Sequence, residues 1–132
     1  MDIVLDFDGT CVTHDYPLTG KDIGAEPVLQ RLIENGHRII LFTMRSNREN
    51  EPPFLDYALE WFYERKIVLY GVQKNPEQHM WTDSPKAYGQ IIIDDAALGC
   101  PLVFDEQLSD RPFVDWEAVE NILEYRGFFK NI

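Results

Sequence analysis

The chain has 132 residues, 45% of them hydrophobic and 27% charged, a length and balance that suit one folded domain over 1–132 and exclude disordered, collagenous and coiled-coil classes. Twelve Lys and Arg against 23 Asp and Glu leave a net charge of −11, which repels nucleic-acid phosphates and anionic membrane surfaces. Two cysteines outside Cys-x-x-Cys spacing, an N-terminus broken by acids, and no apolar run of about 18 residues predict a reduced, cytoplasmic protein without disulfides, signal peptide or membrane span.

Five short apolar runs are continuous rather than alternating: Ile3-Val4-Leu5, Ile39-Ile40-Leu41-Phe42, Ile67-Val68-Leu69-Tyr70, Ile91-Ile92-Ile93 and Leu102-Val103-Phe104. Continuous runs mark strands buried on both faces. Between the first two, Val28, Leu29, Leu32 and Ile33 share a helical face that Gly36 ends. Leu55, Ala58, Leu59 and Phe62 repeat the pattern after Pro52-Pro53. Asp115 can cap a last helix carrying Trp116, Val119, Ile122 and Leu123 on one face, with Gly127 beyond. This alternation predicts an α/β fold: a three-layer, Rossmann-like, mostly parallel sheet of about five strands, the first one central, with helices on both faces. The segment from Gly71 to Asp83 is the least regular and suits either a loop over the site or a surface connection.

In such sheets ligands bind beyond the carboxyl ends of the strands. The first run leads into Asp6-Phe7-Asp8-Gly9-Thr10. Residues two apart on an extended chain point the same way, so Asp6 and Asp8 are expected at one spot while Phe7 turns to the other side. Two close carboxylates need a cation or a shared proton, and an all-oxygen pair suits Mg²⁺. Gly9 permits a sharp exit from the strand. The second run ends at Thr43, with Arg45 two residues on, which offers a hydroxyl and then a fork for phosphate or carboxylate. The fourth ends at Asp94-Asp95. Ser84-Pro85-Lys86 is expected to form a capped helical turn that brings an ammonium near the site.

In this order the residues resemble the haloacid-dehalogenase superfamily of phosphohydrolases, whose members place Asp-x-Asp-x-Thr after the first strand, Ser or Thr after the second, then Lys and an acidic pair. The resemblance spans Ile3 to about Gly99 and is nearest to small members without a cap domain, because the stretches 11–24 and 71–83 are too short for one. It implies Asp6 as nucleophile, forming an aspartyl phosphate. Asp8 is implied as general acid and base. Thr43 and Lys86 would bind phosphoryl oxygens, and Mg²⁺ would be held by Asp6, Asp8 through its carbonyl, and Asp94, with Asp95 beside them. Gly9, Thr10 and Arg45 are candidates for substrate contact. One departure is that Ala96-Ala97-Leu98-Gly99 supplies no third acid after Asp95.

The plainer readings are a cap for Thr43, packing for Cys11, a surface turn rather than a leaving-group contact for His14 and Asp15, a solvated loop against substrate contact for Arg45 and Arg48, and core or groove filling for the Trp61-Phe62-Tyr63 cluster. Lys74 rivals Lys86 as the cation. The leading expectation is a Mg²⁺-dependent phosphatase acting on a small phosphomonoester. A catalytically weak domain that binds a phosphorylated ligand or a partner protein stands as the alternative. A receiver-type phosphoacceptor switch is disfavoured, because there the accepting Asp ends a central strand that follows an early acidic pair. Nucleic-acid and membrane partners are not expected, and homo-oligomerisation stays open.

Overall fold

A computed structural model describes residues 1–130. Strand β1 (Asp2–Leu5) is followed by α1 (Ala25–Glu34), β2 (Arg38–Leu41), α2 (Phe54–Glu64), β3 (Gly71–Val72), a 3-10 turn (Gln78–Met80), β4 (Ile91–Ile93), β5 (Leu102–Val103), β6 (Phe113–Val114) and α3 (Trp116–Tyr125). The first four strands form one sheet in the order β3-β2-β1-β4, and every pair is parallel. Strand β1 is thus central and flanked by the second and fourth, as predicted. The chain crosses to the other side of β1 between β3 and β4, so the switch in strand order falls between β1 and β4.

Two of the five apolar runs are placed differently. The strand after α2 begins at Gly71, because Ile67 turns into the core while Val68 is 77% exposed. Leu102-Val103 pairs antiparallel with Phe113-Val114 in a separate two-stranded ribbon, and the run is half exposed. The large sheet therefore has four strands.

The helices share one face. Ile3, Leu5, Ile39 and Leu41 pack in a single core with Leu29 and Leu32 of α1, Ala58 and Phe62 of α2, and Val119 and Leu123 of α3. Gln30 of α1 donates to the Arg65 carbonyl after α2, and Arg31 pairs with Glu120 of α3, so the three helices lie side by side. The other face, with Val4 and Ile40, is covered by the irregular segment after β3. Gly89 there lies so close that a Cβ would come within 2.8 Å of Val4 Cγ2. Polar side chains hold this cover in place of a helix. Buried Asn75 donates to Asp2 and to the Tyr88 carbonyl, and Gln78 donates to the carbonyls of Ser84 and Lys86 while accepting from the Tyr88 amide. The expected helices on both faces are accordingly helices on one face and hydrogen-bonded coil on the other. Among the described residues there is no cap domain, and no helix is long and apolar enough to cross a membrane.

The helix ends follow the sequence. Asn35 closes α1 and Gly36 takes φ 83° just beyond it. The Asp115 carboxylate accepts from the Ala118 amide at the start of α3.

Candidate functional site

Leu5 pairs with Leu41 on one side and Ile93 on the other, so the next residues, Asp6 and Asp94, leave adjacent strands at the same level. The Asp6 amide still donates to the Ile93 carbonyl, at 3.0 Å. Carboxylate oxygens of Asp6, Asp94 and Asp95 all lie within 4.8 Å of one another. Of the first acidic motif, Asp6 alone meets the second pair.

The chain then turns at once. The amides of Thr10 and Cys11 both donate to the Phe7 carbonyl, and Phe7 is buried against Trp61 and Phe62. Because extension stops at this turn, strand alternation does not reach Asp8. Its carboxylate leaves the trio and accepts from Arg45 Nε and Nη2, each at 2.8 Å. Arg45 is 1% exposed. Its remaining N–H groups go to the carbonyls of Pro17, Phe54 and Leu18, which accounts for all five guanidinium donors. Arg45 thus ties the first motif to the 16–18 loop and the start of α2, and offers no free fork to a ligand.

Thr10 is fully buried. Its hydroxyl lies 2.9 Å from Asp6 Oδ2 and 3.2 Å from Asp95 Oδ1, and it accepts from the Asp95 amide. The loop that carries it is braced from α3, where the Trp116 indole donates to the Thr10 carbonyl at 2.7 Å. Thr10 therefore orders the carboxylates rather than facing a ligand. Gly9, at φ 78°, packs against His14 and Asp95.

His14 is the residue that the sequence reading undervalued. Its Nε2 lies 2.7 Å from Asp95 Oδ2, both side chains being 15% exposed. Asp95 is 81 residues away, a separation that no local pattern registers. Cys11 is buried, its Sγ directed at the Asp6 carbonyl. Burial pushes its thiol well above the ordinary range, which suits packing. Arg48 is exposed and only 4.0 Å from Glu51. Trp61 and Phe62 are core, whereas Tyr63 is exposed.

Thr43 sits just beyond β2 and accepts from the Arg45 amide, while Gln73, after β3, bridges its backbone N–H and C=O. Among the described residues its hydroxyl hydrogen meets no acceptor. Lys86 is exposed on the covered face of the sheet, in a shallow hollow with Trp81, Tyr88 and Ile92. The expected capped helical turn does not form: residues 85 and 86 only bend, with the Ser84 hydroxyl accepting from the Lys86 amide. Lys74 is exposed too. Among the described residues neither ammonium is paired with a carboxylate.

The electrostatics follow from this crowding. The Asp6 carboxyl is pushed from 3.8 up to about 8, first by burial and then by the charge of Asp94, against the Thr10 hydroxyl that favours the ionised form. Three oxygen donors at this spacing, with no Lys or Arg paired to them among the described residues, match what a hard divalent cation such as Mg²⁺ prefers.

These features define an α/β protein with a carboxylate site at the switch point of a parallel sheet. No family model matches the chain, and a search of curated proteins gives no match. Among solved structures the chain is similar to a conserved protein from Bacteroides thetaiotaomicron, with 32% identity over 96% of this chain and 91% of that one, at a TM-score of 0.73. The chain belongs to the family of that conserved protein.

Proposed function

We propose that the chain is a phosphohydrolase of the haloacid-dehalogenase type, cleaving a phosphomonoester through an aspartyl phosphate on Asp6. The observation that carries this reading is the meeting of Asp6, Asp94 and Asp95 within 4.8 Å at the ends of adjacent parallel strands. An Asp6 oxygen attacks phosphorus while the bond to the alcohol breaks; water then attacks phosphorus, releasing phosphate and restoring the carboxylate. Asp6, Asp94 and the backbone carbonyl of Asp8 would hold Mg²⁺, with Asp95 beside them, and the ion would supply charge neutralisation to the phosphoryl group. The Thr43 hydroxyl, which accepts from the Arg45 amide, donates to a phosphoryl oxygen, and Lys86 supplies the cation. Asp8 passes the proton to the departing alcohol and takes one from water, which requires one N–H···O bond of the Arg45 fork to open.

A second reading, a domain that binds a phosphorylated ligand with little turnover, is favoured by one observation: both Asp8 oxygens are held by a buried guanidinium. A panel of phosphomonoesters with Mg²⁺, using Asp6→Asn as the blank, separates the two. Release of inorganic phosphate above the blank supports the hydrolase. Saturable binding with release at the level of the blank supports the binding domain.

A further inference from the structure

We propose that His14 is a positioning residue for the cation: with Thr10 it fixes Asp95 beside two direct ligands, Asp6 and Asp94. This rests on the metal-site reading above and adds to it a residue outside the Asp-x-Asp-x-Thr and Asp-Asp motifs. The basis is an account of which carboxylate oxygens are engaged. Asp6 Oδ2 accepts from Thr10 and Asp94 Oδ1 from the Ala96 amide at 2.8 Å, while Asp6 Oδ1 and Asp94 Oδ2 meet no side-chain donor among the described residues. Asp95 differs in having both oxygens approached, Oδ2 by His14 Nε2 at 2.7 Å and Oδ1 by the Thr10 hydroxyl at 3.2 Å. Asp6 and Asp94 thus each keep an oxygen without a side-chain donor among the described residues, while the third carboxylate is approached on both oxygens.

The loop is built to allow this contact. At Gly9 a Cβ would stand 2.0 Å from His14 Nε2 and 2.7 Å from Asp95 Oδ2, so only glycine leaves room for the pair. The base of the His14 loop is pinned by neighbouring bonds: the Thr13 amide donates to the Lys21 carbonyl, and the Lys21 amide to the Thr13 hydroxyl. A partner that orients a carboxylate next to a metal contributes about 10–100-fold in metal affinity.

Equilibrium binding of Mn²⁺, read by the loss of the free-ion paramagnetic resonance signal, tests the assignment without any substrate. The parent should bind Mn²⁺ and Asp94→Asn should not. His14→Phe, which keeps the ring and loses the N–H, should bind about 10–100-fold more weakly at unchanged circular dichroism. His14→Gln, which retains a donor, should recover most of the loss. Because a variant can fail to fold, a second reading uses the parent itself: trace Mn²⁺ should broaden the His14 imidazole resonances before those of His37 and His79. Equal affinity in His14→Phe and parent, or equal broadening of the three histidines, overturns the role of His14 while leaving the metal site standing. Absence of Mn²⁺ binding by the parent overturns both.

Discussion

Asp8 and Arg45 form a two-bond fork with N···O distances of 2.8 Å each, the arginine side chain being 1% and the aspartate 18% exposed. Removing Arg45 leaves the Asp8 carboxylate uncompensated and takes a donor from each of the Pro17, Leu18 and Phe54 carbonyls. Arg45→Ala should cost about 3–5 kcal/mol of stability, and Arg45→Lys should recover little, since one ammonium cannot match a planar fork plus three carbonyls. Urea denaturation of the two variants beside the parent checks both statements.

The same pair sets the expectation for Asp8 itself. Asp8→Asn should lower kcat by about 10² to 10⁴, the range of general acid and base catalysis, with smaller change in KM. A variant that keeps the parent kcat removes Asp8 from proton transfer and leaves it as Arg45's structural partner.

Asp6 gives a pH dependence with a definite sign. Its folded carboxyl titrates near 8 rather than 3.8, so below 3.8 the folded and unfolded chains both hold the proton and the group is neutral to stability. As pH rises from there toward 8, the unfolded chain releases the proton and the folded chain keeps it, so stability falls, and above 8 the loss is complete. Without divalent cation, Tm should therefore decline across this window. Asp6→Asn should flatten the decline and Mg²⁺ should reverse it in the parent only. Thermal melts at several pH values with and without Mg²⁺ measure all three.

Much of this site is legible in the sequence because it depends on strand ends. Asp6 and Asp94 each follow an apolar run, and parallel pairing of those runs in register brings them together with no further information. What resisted reading depends on contacts distant in sequence. Arg45 looks like a ligand fork two residues past Thr43, and only the fold shows the Pro17, Leu18 and Phe54 carbonyls closing around it. Asp8 was expected beside Asp6 because strand alternation was extended past the point where the chain turns at Phe7. The cover over Val4 and Ile40 was missed for a related reason: Asn75 and Gln78 look like surface residues, yet they supply the bonds that replace a helix.

The lysines offer a test in which the ranking matters. Neither is paired with a carboxylate among the described residues, so under the proposed hydrolase reading the substrate draws the serving lysine to the phosphoryl group. Lys86→Ala is expected to lower kcat/KM by about 10²-fold, with Lys74→Ala near the parent. The opposite order would move the role to Lys74, whose neighbour Gln73 is bonded to the Thr43 backbone.

The covalent role of Asp6 is the centre of this account, and rapid acid quenching during turnover of a phosphomonoester with Mg²⁺ tests it most directly. Mass spectrometry of the quenched protein should find one phosphoryl group on the peptide containing Asp6, disappearing as substrate is exhausted, and Asp6→Asn should show neither the adduct nor turnover. Turnover without an adduct on that peptide, maintained at the parent rate in Asp6→Asn, would contradict it.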